Sequence, residues 1–292
     1  PTGRIETLVV PDRLHLPFRA VFDEVARSWP DGKLRLVEHD RRCQVTLPWL
    51  KTPSEIHWLQ LITGAGAARG THAILHDADL FALEPGYLRS LFETCRDRNL
   101  ACLGNAAPGA GMEWTEMPRF AHVVALWELT FELAWMRGQP PDAMRPRKGD
   151  FPEGTFWFET SLLAQARTPA ARIDRHPPAD VVHFGWVIGG YRTFQRSRGP
   201  FEDDRFRLLL IRLLIDAFDP TGSPYEIPTL DQLERGLRDD SARVFYGPNA
   251  RANYPVFRGH LDRLFGRSLF DPACEARLQR GLTRFDRSLR SS

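Results

Sequence analysis

The sequence predicts an α/β protein: a mainly parallel sheet flanked by helices, followed by a helical C-terminal extension. Three observations predict it. Short apolar runs alternate with amphipathic stretches over about the first hundred residues, the pattern of successive strand–helix units. Asp12, Asp40 and Asp77 stand near the ends of three such runs, and ligands of these sheets bind outside the carboxyl ends of the strands. Beyond Glu202 the pattern turns largely helical.

Each element has its own signal. Ile5, Leu8, Val9 and Val10 make a strand within Arg4–Asp12, ended by Pro11-Asp12. Phe18, Val21, Phe22, Val25 and Ala26 fall at helical spacing in Pro17–Trp29, which Pro30-Asp31-Gly32 closes. Leu34–Val37 is a second strand. Thr52-Pro53-Ser54-Glu55 starts a helix, with proline in the first turn and an acid behind it, and Gly64–Gly70 breaks it. A strand follows over Ala73–Asp79, then a helix over Tyr87–Arg98 and a strand over Leu100–Leu103. From Ala106 to Gly154 the pattern weakens. Gly- and Pro-rich stretches flank a Trp-rich helix from about Arg119 to Met136, and residues 106–150 suit a substrate-covering segment. Phe156–Phe158 and Val181–Ile188 read as strands; Phe206–Phe218, Leu230–Leu237 and Pro272–Leu289 read as helices.

The 292 residues suffice for one large α/β domain, or a core with an appendage. A net charge of +2 gives no argument for a nucleic-acid partner, and no run approaches the length of a membrane span. Nothing resembles a signal peptide. The four cysteines lack CxxC spacing, which argues against a zinc knuckle and fits reduced thiols in a cytoplasmic protein. The last helix sets Leu278, Leu282, Phe285 and Leu289 on one stripe and Arg277, Arg280, Arg284 and Arg287 on another. Docking on the domain and peripheral membrane association through 272–290 are both open to it.

The most informative stretch is His72-Ala73-Ile74-Leu75-His76-Asp77-Ala78-Asp79-Leu80-Phe81. Residues i and i+2 of a strand point to one side, so Asp77 and Asp79 can aim two carboxylates at one point. Two such charges repel unless a cation or donors sit between them. A hard divalent ion is held this way, by carboxylates together with substrate phosphates. The plainer reading is a strand-end turn in which the aspartates cap backbone groups.

The motif Ala73-Ile74-Leu75-His76-Asp77-Ala78-Asp79, preceded by two strand–helix units, resembles the GT-A (Rossmann-like) glycosyltransferases over residues 5 to 105. The resemblance implies a nucleotide diphosphate sugar as donor, and Mn²⁺ or Mg²⁺ bridging its diphosphate to Asp77 and Asp79. It implies His183, in Val181-Val182-His183-Phe184-Gly185-Trp186, as a late third metal ligand. One departure is that the family's usual opening strand is not evident. If Ile5–Asp12 is the second strand, Asp12 takes the position that contacts the nucleobase; otherwise it is a turn residue beside Pro11. Glu202-Asp203-Asp204 resembles the Glu-Asp pair of family 2 inverting enzymes, with Asp203 as the base that deprotonates the acceptor.

Other readings stay open beside these. Acids before Phe206–Phe218 also suit a helix N-terminus, and Glu159, after the aromatic Phe156-Trp157-Phe158, is the rival base. His183 also reads as a hydrogen-bonded sheet-edge histidine. Arg192 and Arg196 can meet diphosphate oxygens. His72 and His76 read as structural, and the tryptophans as core or lid packing, with Trp157 and Trp186 the two candidates for a sugar platform.

The expected organisation is a nucleotide-sugar-binding and catalytic domain over 1–200, with a helical extension over 201–292 packed on it. The expected activity is sugar transfer to an acceptor that is a small molecule, glycan or peptide. Two alternatives are weighed against it. A haloacid-dehalogenase-like phosphatase would use Asp77 as nucleophile, against which Leu80-Phe81 and the mid-domain position argue. A non-catalytic carbohydrate-binding or scaffold domain is the other.

Overall fold

The computed structural model describes residues 5–11, 16–29, 33–50, 52–105, 108, 112–176, 181–197, 201–219, 226–237 and 246–291. The chain divides into two compact units, Pro1–Asp77 with Gly86–Ala179, and Ala78–Pro85 with Asp180–Ser292.

In the first unit, Thr7–Val9 and Leu34–Leu36 pair in parallel, with Thr7 opposite Leu34. Helices Leu16–Ser28 and Arg41–Thr46 follow the two strands, and Asp40 caps the second by accepting the Cys43 N–H at 2.7 Å. Thr52 and Glu55 form a capping box at the start of Pro53–Ala67. The helix passes through Gly64, where a break was expected. A Cβ there would stand 3.2 Å from the Val10 side chain, so glycine permits the close approach to the first strand.

A four-stranded sheet carries the main core of this unit, in the order His72–His76, Glu128–Glu132, Cys102–Gly104 and Ile173–Arg175. Glu128–Glu132 runs antiparallel to both neighbours, and Cys102–Gly104 is parallel to Ile173–Arg175. Arg147–Phe151 and Gly154–Phe158 form an antiparallel hairpin. Pairing is therefore mixed, not mainly parallel, because the strand expected to be a helix enters the sheet reversed.

That strand is the largest correction. Residues 119–136 hold a 3₁₀ turn at Pro118–Phe120, the Glu128–Glu132 strand and a short helix, Leu133–Gly138. Glu-Leu-Thr-Phe-Glu has the two-residue alternation of a strand, and Leu129 and Phe131 fill a core with Leu61, Cys102 and Ile173. A second cluster joins Trp114, Phe120, Phe156 and Phe158, with Trp114 stacked on Phe158 at 4.7 Å.

The second unit pairs Leu80–Ala82 antiparallel with Val181–His183 and is otherwise helical. Its helices include Val187–Arg196, Arg207–Phe218, Leu230–Arg235, Ala250–Leu264 and Pro272–Arg290. The expected Val181–Ile188 strand ends at His183, where Gly185 (φ 67°) and Trp186 (φ 62°) turn the chain into a helix. Ala250–Leu264 is a helix the sequence reading missed, since Pro255 interrupts it and argues against one. Buried Phe206 meets Tyr254, Phe257 and Phe285 at the centre of the core. Leu278, Leu282 and Phe285 of the last helix are buried there too, so its apolar stripe belongs to the core. Among the described residues no helix is long and apolar enough to cross a membrane.

Candidate metal centre

The His72–His76 strand ends with His76 opposite Glu128, and the Asp77 N–H donates to the Trp127 carbonyl at 3.0 Å. Ala78 and Asp79 then form a turn, so the two aspartates follow the strand and are not its last residues. Their proximity comes from a two-residue separation in a turn, not from a shared strand face. The next strand fixes Asp79 more firmly. Leu80 sits opposite His183, and the Phe184 N–H donates to the Asp79 carbonyl at 3.1 Å.

This register brings the Asp79 carboxylate to His183. Oδ1 lies 3.3 Å from His183 Nε2, and Oδ2 accepts the Val187 N–H at 2.8 Å. Val187 opens the Val187–Arg196 helix, where backbone N–H groups lack intrahelical partners and a negative charge is favourable. Burial alone would raise the Asp79 pKa, but His183 and the Val187 N–H outweigh it and hold the carboxyl below its usual range. Asp77, Asp79 and His183 each offer a ligand atom, all within 4.8 Å of one another. Two carboxylate oxygens and one imidazole nitrogen form a donor set that can hold a divalent metal ion, and the imidazole suits Mn²⁺ better than Mg²⁺, which takes oxygen donors.

Arg207 joins this neighbourhood, and the sequence reading missed it. Its Nε donates to the Gly185 carbonyl at 3.1 Å, and its guanidinium lies 3.7 Å from Asp203 and 5.3 Å over the Trp186 ring. Burial lowers its pKa, while the charges of Asp203 and Asp79 oppose that shift. Gly190 leaves it space, since a Cβ there would stand 2.7 Å from Arg207 Cδ. The available signal was position, three residues behind the acidic triplet. Arginine is too frequent in this chain for that to single it out.

Asp203 is 1% exposed, and its Oδ2 accepts the Leu208 N–H at 2.8 Å at the start of Arg207–Phe218. Burial raises its pKa, and Leu208 and Arg207 pull it back only in part. Glu159 is exposed just after the Gly154–Phe158 strand. Arg192 is half-buried on Val187–Arg196, its pKa lowered by burial and then by the charge of Arg196. Asp12 lies outside the described residues. His76 has a defined structural partner: its Nδ1 is 3.1 Å from Oε1 of Glu128, which is 1% exposed and also accepts from Tyr87 and Asn105.

No protein-family model matches the sequence, and no relative is found among curated proteins. Among solved structures, the chain is similar to the mannosyltransferase PcManGT from Pyrobaculum calidifontis in complex with GDP-Man and Mn2+. The identity is 14%, the alignment covers 93% of this chain and 80% of that one, and the TM-score is 0.40. A likeness at that score leaves the function to rest on the site's own geometry.

Proposed function

We propose that this protein is a metal-dependent glycosyltransferase of GT-A type, moving a sugar from a nucleotide diphosphate sugar to an acceptor. The observation that carries the reading is the convergence of Asp77, Asp79 and His183, whose ligand atoms lie within 4.8 Å of one another. A divalent cation held by these three would supply Lewis-acid chemistry to the departing diphosphate. The third donor, His183, favours this reading over a phosphatase in which Asp77 acts as nucleophile.

The residues around the group have supporting roles in this reading. Val187 and the helix behind it orient Asp79. Arg207 and Arg192 are half-buried cations on the same unit, and the diphosphate offers the negative charge that would stabilise them. Asp12 takes the nucleobase. Residues 1–200 carry donor binding, parts of 106–150 cover the substrates, and 201–292 form the helical extension that adds Arg207 and the candidate base Asp203. The base is Asp203 or Glu159: raised proton affinity favours the first, and exposure to an incoming hydroxyl favours the second.

The test is donor turnover. Purified protein is incubated with UDP- and GDP-sugars and Mn²⁺, with and without saccharide acceptors, and release of nucleoside diphosphate is followed. The reading expects release that EDTA abolishes and Mn²⁺ restores, with Asp203→Asn or Glu159→Gln reducing kcat by about a hundredfold or more. Release indifferent to EDTA contradicts it.

A further inference from the structure

Trp186 is an unusual residue to find where it stands. It is 53% exposed, although an indole is among the largest apolar surfaces a chain can bury. Its backbone is left-handed, with φ 62°, a conformation that disfavours a bulky side chain and persists only when the surroundings enforce it. The sequence around it accommodates this placement. Gly185 before it is also left-handed, with φ 67°. Gly189 lies against the pyrrole side of the indole, and a Cβ there would overlap the ring. Arg207, anchored by the Gly185 carbonyl and Asp203, lies over the ring at 5.3 Å. The next residue, Val187, donates its N–H to Asp79.

The indole is thus fixed by glycine and arginine, strained at its backbone, and left in solvent one residue from the group that holds Asp79. We infer that Trp186 is a stacking platform for a pyranose ring, whose C–H face would cover the exposed indole. The inference rests on the glycosyltransferase reading and adds a sugar-contacting residue to it. Position selects this occupant: the residue that carries the ring directly precedes Val187, whose N–H holds Asp79, and a sugar attached to a diphosphate, or the sugar receiving it, would lie beside that group. Trp186 touches substrate in this account but transfers no proton.

The experiment uses the full chain and three variants: Trp186→Ala, Trp186→Phe and Gly189→Ala, the last keeping the indole but displacing it. Calorimetry measures UDP and GDP with Mn²⁺, then UDP-glucose and GDP-mannose with Mn²⁺. Saturation-transfer NMR measures methyl glycosides of glucose, galactose, mannose and N-acetylglucosamine without nucleotide or metal. The Ala variants are expected to bind the bare nucleoside diphosphates as the wild type does. They should lose about fivefold to tenfold in affinity for a sugar-bearing ligand, and Trp186→Phe should retain most of it. Loss confined to nucleotide sugars assigns the ring to the donor; loss confined to methyl glycosides assigns it to the acceptor. Unchanged sugar binding in both arms, or failure of the wild type to bind any pyranose, overturns the inference. Failure of the bare nucleoside diphosphates alone counts against the glycosyltransferase reading, and the methyl glycosides then decide the stacking role independently.

Discussion

Asp79 and Asp203 are both half- to fully buried carboxylates at helix starts, yet their environments push them in opposite directions. Asp79 gains an imidazole and a backbone N–H that more than offset its burial, whereas burial wins at Asp203. A buried aspartate with raised proton affinity contributes most to stability below its unfolded-state pKa of about 3.9, and that contribution is lost as pH rises through its folded value. Asp203→Asn, which cannot ionise, should therefore compare better with the wild type at pH 7 than at about pH 3.5. Denaturant unfolding of both proteins at the two pH values measures this, and a stability difference that does not move contradicts it. At this scale the Asp77 and Asp79 pair was legible as two carboxylates two apart, and His183, which the fold brings beside them, was reached through the family resemblance. Arg207 was not, because its role depends on Gly185, Asp203 and Trp186, which only the fold gathers around it.

Among the elements, the Leu80–Ala82 and Val181–His183 pair matters most to the site. Its register sets Leu80 against His183 and so places Asp79 beside the imidazole. Val182, fully buried, anchors that strand in the core of its unit. Val182→Ala should cost about 1–2 kcal/mol and weaken Mn²⁺ binding severalfold. Leu133→Ala, in the core of the other unit, should cost at least as much stability and leave Mn²⁺ affinity unchanged. Equal effects on metal binding would contradict the special role of the pair; thermal unfolding and Mn²⁺ titration read both quantities. Helices with strong end signals, such as the Thr52–Glu55 capping box, were readable from sequence. The Glu128–Glu132 strand was obscured by neighbouring tryptophans, which also suit a helix. The Ala250–Leu264 helix was obscured by Pro255. At Pro255 the packing of the helix into its core overrode the local signal.

For the molecule as a whole, each unit has its own core: layered aliphatic and aromatic clusters in the first, and helices around Phe206 in the second. The chain leaves the first unit after Asp77, lends Leu80–Ala82 to the second, and returns at Gly86. Gly86 takes φ 81° at the start of the Tyr87–Asp97 helix, so the return turn requires a residue that tolerates that conformation. Alternating periodicity made the α/β class legible. Strand direction was not, because it depends on which runs pair, and no local pattern carries that information. The Asp-x-Asp triplet lies where the chain leaves the first unit, and on that triplet the functional account depends.

The most direct test is calorimetric titration of Mn²⁺ into the wild type and Asp79→Asn in the presence of a nucleoside diphosphate. Asparagine can still accept the Val187 N–H, so the fold should persist, with the metal-free unfolding temperature lowered only by the loss of the charge beside His183. The account predicts saturable Mn²⁺-dependent nucleotide binding in the wild type and its loss in Asp79→Asn. Nucleotide binding that is indifferent to Mn²⁺, or undiminished in the variant, would contradict it.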